Sequence, residues 1–340
     1  MKSLSLAPAL LAFALGACMT APAPSAFPSV GTIHMEAPAL AGLMDMKAPV
    51  EKLAEGFTWS EGPVWISDGN YLLFSDVPAN VIFRWSEKDG LSEFLKPSGY
   101  AGDEKGIFRE PGSNGLIRGP YNSILMADHG NRAVAKLDLG TKTKTLLADR
   151  FRGKRFNSPN DLVLAKDGSI WFTDPPYGLE GLNQSPIKEL PFNGVYRHLP
   201  NGEIRLVDDK LTFPNGIILS PDERTLYVAV SDPDAAIIWA YALDAAGEVT
   251  NKRVFVDMTA LSKQGLPGLP DGMAIDTKGN LFATGPGGVI VFSPAGQRLG
   301  RIDTGKAIAN ATFGEDGHTL FLASDDILVR IRTRTKGLGY

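Results

Sequence analysis

Cysteine and histidine are scarce: the 340-residue chain contains one Cys, Cys18, and four His. A single cysteine excludes a disulfide framework, and neither a Cys cluster nor a His-Glu-x-x-His segment exists to build a zinc site of those types. No Gly-x-Ser-x-Gly elbow is present, which argues against a serine hydrolase. Gly285-Pro286-Gly287-Gly288 lies between predicted strands and opens no helix, so it is not a phosphate-binding loop. Excess charge of either sign is also missing. Lys and Arg total 34, Asp and Glu total 38, and the formal charge of -4 is spread without long like-charged runs, giving no footprint for nucleic acid or an anionic membrane surface. A small molecule is the expected partner.

What the chain does have is a repeated phrase. Glu61-Gly62-Pro63-Val64-Trp65, Asn114-Gly115-Leu116-Ile117, Asn160-Asp161-Leu162-Val163-Leu164, Asn215-Gly216-Ile217-Ile218-Leu219, Asp271-Gly272-Met273-Ala274-Ile275 and Asn310-Ala311-Thr312-Phe313 each lead an oxygen-bearing side chain into an apolar run. A turn such as Asp68-Gly69, Asp167-Gly168 or Asp316-Gly317 follows, and then a second strand. Apolar residues alternate or run for a few positions between Gly, Pro, Asn and Asp, with β-branched and aromatic residues filling the runs, and no helical period is sustained. The spacing predicts an all-β fold, a six-bladed β-propeller of four-stranded antiparallel blades around a central channel, spanning residues 50–336. A β-sandwich of hairpins is the other architecture open to such strands, but it does not demand one phrase six times.

The ends of the chain differ in character. Residues 1–17, with Lys2, an apolar stretch from Leu4 to Leu15 and small residues before Cys18, predict a lipoprotein-type export signal. Cys18 is then the lipidation site. A plain signal peptide cut after Ala17 and a short membrane anchor are the alternatives. Residues 18–49, rich in Ala and Pro, predict a tether. The expected location is exported, as a bacterial lipoprotein facing the periplasm or the cell exterior, with membrane contact only through Cys18.

In a propeller the residues that precede the innermost strands gather at one mouth of the channel. Glu61 and Asp271 would bring carboxylates there, and Asn160 and Asn215 would bring amide oxygens. Each phrase alone is also a good hairpin turn, because Asn and Gly tolerate positive φ. Together they suit one hard divalent cation, Ca²⁺ in the first place, since it accepts mixed oxygen donors in flexible geometry; Zn²⁺, Mg²⁺ and Mn²⁺ are compatible as well.

Lys154-Arg155-Phe156-Asn157-Ser158-Pro159-Asn160-Asp161 and Trp171-Phe172-Thr173-Asp174-Pro175-Pro176-Tyr177-Gly178-Leu179 closely resemble the gluconolactonase branch of the SMP-30/gluconolactonase/LRE-like family, which includes regucalcin. Gly112-Ser113-Asn114-Gly115-Leu116, Phe213-Pro214-Asn215-Gly216 and Pro270-Asp271-Gly272 add to the resemblance. It implies a six-bladed propeller with one divalent ion held at the positions of Glu61, Asn160, Asn215 and Asp271, and hydrolysis of sugar lactones such as glucono-1,5-lactone. It also points to Asp271 as the general base. Organophosphate or aryl-ester hydrolysis on the same site is the rival chemistry, and a non-catalytic binding propeller is the rival class. Asn114 and Asp161 are expected to contact substrate hydroxyls or hold a water. His129, near the same face, and Tyr177 are expected to bind substrate as well, and Tyr177 together with the segment from Ser98 to Ser113 is expected to form part of a lid.

Overall fold

The computed structural model describes residues 26–340. Six antiparallel sheets are arranged as the blades of a propeller, at 60–95, 113–148, 162–208, 214–257, 273–303 and 310–332. The expected six-bladed fold is therefore present. In each blade the first strand in sequence is innermost: Ser60–Ile66, Ser113–Arg118, Leu162–Leu164, Pro214–Leu219, Met273–Ile275 and Asn310–Gly314. Each of these inner strands touches the inner strand of the next blade, and the last touches the first, which closes the channel.

Alternation along the strands explains why both faces of every blade are apolar. Tyr227 and Ala229 pack toward the fifth blade, whereas Leu226 and Val228, one residue out of phase, pack toward the third. Successive side chains of a strand point to opposite faces, so one apolar run supplies two interfaces. Among the described residues, six apolar clusters fill the six spaces between neighbouring blades.

The ring is fastened by the N-terminal region. The outer strand of the sixth blade is Glu51–Glu55, paired with Ile327–Arg332, and the Arg330 guanidinium donates to Glu51 across the join at 2.6 Å. This closure places the first and last parts of the propeller in one sheet.

The tether expected at 18–49 is corrected by the structure for its described part. Thr32–Met35 adds a fifth strand to the fifth blade by pairing with Arg298–Asp303. Pro38–Gly42 forms a 3₁₀ turn with Pro at its start, where the missing N–H costs nothing. Leu40 and Met44 are fully buried in the cluster between the fifth and sixth blades, with Leu43 and Val50 beside them. The short spacing of these four apolar residues was masked in the sequence by the Ala and Pro around them. The export signal at 1–17, Cys18 and the first residues of the tether lie outside the described residues. Among the described residues no helix is long and apolar enough to cross a membrane.

Leu40→Ala is therefore expected to lower the unfolding free energy by about 2–5 kcal/mol, read from urea denaturation. A change within error would mean that this segment behaves as a tether after all.

Candidate metal centre

The site is built from breaks in the inner ladders. Register slips occur between Glu61 and Val64, between Ser113 and Leu116 and between Pro214 and Ile217. An irregularity of this kind re-aims a side chain at the end of a strand. The glycine that follows four of the six leading residues has a second purpose. A Cβ on Gly62, which sits at φ 47°, would lie 2.1 Å from the Asn114 carbonyl oxygen, and one on Gly216 would lie 2.1 Å from that of Asp271. Glycine thus lets the leading segments of adjacent blades approach backbone to backbone.

Hydroxyls at the ends of the second strands hold these segments in place. Ser75 Oγ donates to the Asn114 carbonyl at 2.8 Å, Thr173 Oγ1 to that of Asn215 at 2.7 Å and Ser231 Oγ to that of Pro270 at 2.5 Å. The Asp271 N–H donates to Thr284 Oγ1 at 3.0 Å. The carboxylates next to two of these hydroxyls anchor the incoming chain: Asp76 accepts from the Thr58 and Trp59 amides, and Asp174 from the Asn157 amide.

At the channel mouth Glu61, Asn160, Asn215 and Asp271 line one cavity of about 500 Å³, together with Asn114 and Tyr177. The ring thus brings the four proposed ligands together. The same cavity is lined by Trp59, Arg109, Glu110 and Ser231, which sequence reasoning missed. Ser231 carries a usable signal, because Ser75-Asp76, Thr173-Asp174 and Ser231-Asp232 repeat one pair at the ends of second strands. Arg109 and Glu110 lie in a connection outside the repeat and carry none. A larger depression of about 840 Å³ lies on the outer edges of the third and fourth blades; two of its arginines, Arg197 and Arg205, are already paired with Asp167, Glu203 and Glu248.

The electrostatics of the mouth call for a cation. Burial raises the Glu61 carboxyl to about 8, against hydrogen bonds from the Gly62 amide and Asn310 Nδ2, with the charge of Asp161 adding to the rise. Burial also pushes Asp271 well above the ordinary carboxylate range, and Glu61, Asp161 and Glu110 push it further. Oδ1 of Asn114, of Asn215 and of Asp271 are all buried without a hydrogen-bond partner. Asn215 Nδ2 is committed to Ser231 Oγ at 2.9 Å, so its oxygen is the free group. Buried acceptors left unpaired are costly, and a hard cation satisfies them. Among the described residues no cluster of three or more His, Cys, Asp or Glu is placed to hold a metal; the set at the mouth instead combines two carboxylates with amides. These residues fit a divalent ion of the Ca²⁺ type.

Two expected substrate contacts are corrected. Asp161 does not line the mouth cavity. Its carboxylate accepts from the Leu162 and Ile217 amides at 2.9 and 3.2 Å and lines a separate cavity on the other side of the ligand ring. It follows Asn160 directly, and consecutive side chains of extended backbone face opposite ways. Burial raises its carboxyl to about 7. His129 is fully buried and does not line the cavity either. Its Nε2 lies 3.4 Å from Asn114 Nδ2 and its Nδ1 lies 3.5 Å from Glu110.

Tyr177 lines the cavity and stacks on Phe213 with ring centroids 5.7 Å apart. Burial and the charge of Asp271 raise its phenol, which therefore stays protonated and can donate. The segment from Ser98 to Ser113 reaches the mouth through Arg109 and Glu110, whose amides both donate to the Gly178 carbonyl, while Phe108 bridges Leu179.

A six-bladed propeller with an acidic, oxygen-lined cavity at one mouth of its channel defines a distinct class of β-propeller. Within it, the chain belongs to the SMP-30/gluconolactonase/LRE-like family, whose sequence model matches residues 59–326. The chain is 48% identical to a gluconolactonase of Zymomonas mobilis over 91% of its own length and 88% of the relative's. It is 25% identical to the diisopropyl-fluorophosphatase of Loligo vulgaris, over 72% of this chain and 78% of that one. Among solved structures, a gluconolactonase of Xanthomonas campestris matches with a TM-score of 0.76 and 31% identity, covering 92% of this chain and 99% of the other.

A carboxyl whose folded pKa exceeds its unfolded value binds its proton more tightly in the native state, so stability falls as pH rises between the two values. For Glu61 the window runs from 4.5 to about 8. In chelator, the melting temperature is expected to decline across that window, and added Ca²⁺ is expected to remove the decline. A flat profile in chelator would show that the mouth carries no such charge penalty.

Proposed function

We propose that this chain is a lactone hydrolase that uses a divalent cation, Ca²⁺ in the first place, and opens sugar lactones such as glucono-1,5-lactone. The observation that carries this reading is the 48% identity to a gluconolactonase along 91% of the chain. The convergence of Glu61, Asn160, Asn215 and Asp271 on one cavity supports it. These four residues would hold the ion, which when bound supplies Lewis-acid polarisation of a carbonyl and a more acidic water.

The chain's own residues account for the remaining needs of ring opening. Water must add to the carbonyl carbon, the ring C–O bond must break, and the leaving oxygen must take a proton. Asp271 Oδ1 has no hydrogen-bond partner, and burial with neighbouring negative charge makes its carboxylate more basic than usual, so it is placed to accept the proton of the attacking water. That proton can return to the leaving oxygen, giving an open-chain hydroxy acid. Asn114 and Tyr177 line the same cavity and offer an amide and a phenol O–H to ring hydroxyls. Trp59 supplies an apolar wall.

Glu61→Gln and Asp271→Asn are each expected to lower kcat/KM on glucono-1,5-lactone by about 10²–10⁴-fold, and chelation is expected to abolish turnover until a divalent ion is restored. Full activity of Asp271→Asn with metal bound would remove its role as base. Paraoxon and phenyl acetate belong in the same assay, because the likeness to a fluorophosphatase makes phosphorus and aryl esters the competing substrates. Faster turnover of either would reverse the assignment.

Export and lipidation at Cys18 complete the proposal and rest on the sequence of the first residues alone. Cys18→Ser is expected to move the protein from the membrane fraction to the soluble fraction, and an unchanged distribution would count against the anchor.

A further inference from the structure

Substrate selection has a structural basis outside the four proposed ligands, on the segment that connects the first two blades. Residues 99–112 are stitched to the loop that carries Tyr177: the Arg109 and Glu110 amides donate to Gly178 at 3.0 and 3.3 Å, and the Glu180 amide donates to Ile107 at 3.1 Å. This fixes the backbone of Glu110 at the cavity wall. Its side chain is fixed as well. Oε1 is paired with the Arg109 guanidinium, and Oε2 lies 3.5 Å from Nδ1 of the fully buried His129. On the far side of the imidazole, Nε2 lies 3.4 Å from Asn114 Nδ2.

The imidazole is thus wedged between the Glu110 carboxylate, which its Nδ1 faces, and the Asn114 side-chain amide, which its Nε2 faces. Asn114 Oδ1, buried and without a protein partner, is then what Asn114 offers to the cavity. His129 thereby orients both Glu110 and Asn114 without touching the cavity itself.

The charges of the lining decide what can enter. Among the described residues of the lining, Glu61, Glu110 and Asp271 face one guanidinium, that of Arg109, and it is already bound to Glu110. A divalent ion on Glu61 and Asp271 would balance those two, while Arg109, half exposed to solvent, offsets the charge of the buried Glu110 only in part. No positive charge is left over for an acidic substrate, and Glu110 still has lone pairs to accept hydroxyl protons. We propose, on the basis of the lactonase reading above, that Glu110 is a specificity-determining residue, with His129 as its positioning residue. Its carboxylate accepts hydrogen bonds from a neutral polyhydroxylated lactone and repels lactones that bear an acid group of their own.

The test compares neutral D-glucono-1,5-lactone with anionic D-glucaro-1,4-lactone on the full, metal-loaded protein. The wild type is expected to favour the neutral lactone in kcat/KM. Glu110→Gln is expected to narrow that ratio by about tenfold, the scale of relieving a like-charge contact, chiefly through faster turnover of the anionic lactone, while Glu110→Asp retains it. His129→Ala, which frees Glu110 to swing, is expected to move the ratio in the same direction, a readout that lost packing alone does not produce. An unchanged ratio in Glu110→Gln at an unchanged melting temperature overturns the proposal while leaving the lactonase reading intact. Preference of the wild type for the anionic lactone overturns it too. If the wild type opens neither lactone, both readings fall.

Discussion

Crowding of buried negative charge at one mouth of the channel is the constraint on which the rest of this molecule depends. Burial raises the proton affinity of both Glu61 and Asp271, Glu61 adds to the rise at Asp271, and Asp161 adds to both. An uncompensated arrangement of this kind is expensive in a medium of low dielectric. The protein tolerates it because the backbone beneath is rigid: glycines allow close approach, hydroxyls of second strands clamp the leading segments, and six apolar interfaces fix the blades. A softer frame would let the carboxylates move apart, and the site would be lost without any ligand being changed.

Division of labour within the repeated phrase follows from the same constraint. Four of the six leading residues line the cavity as proposed ligands, and a fifth, Asn114, lines it with a free amide oxygen. Asn310, the sixth, donates to Glu61 from Nδ2 at 3.2 Å. It holds a ligand in place instead of serving as one. Equivalent positions in the ring therefore take different roles, according to which neighbour each side chain meets.

The architecture was legible in the sequence because a period of turns and apolar runs is a property of the chain itself. The gathering of Glu61, Asn160, Asn215 and Asp271 could be read for the same reason, since a ring sends equivalent positions to a common axis. What escaped were features that depend on packing between distant segments. Leu40 and Met44 fill a cleft between two blades, and nothing in their local sequence shows that the cleft exists. His129 is buried behind Glu110 and Asn114, two residues that do line the cavity, and Asp161 differs from Asn160 by the alternation of one extended step. Arg109 and Glu110 sit in a connection of no repeating pattern, so their place at the mouth is set by the Gly178 carbonyl that receives their amides.

The join between Glu51–Glu55 and Ile327–Arg332 has a consequence for the order of events as the chain is made. Four blades form wholly from consecutive stretches of sequence and the fifth only adds Thr32–Met35 at its edge, but the sixth needs its outer strand from nearly the opposite end of the propeller. Contacts of such long sequence separation form slowly, because loop closure must precede their reward. The ring cannot close, and Glu61 cannot meet Asn310, until the last strands have been synthesised. The gathering of Glu61, Asn160, Asn215 and Asp271 on one cavity thus arrives late, as a property of the finished circle.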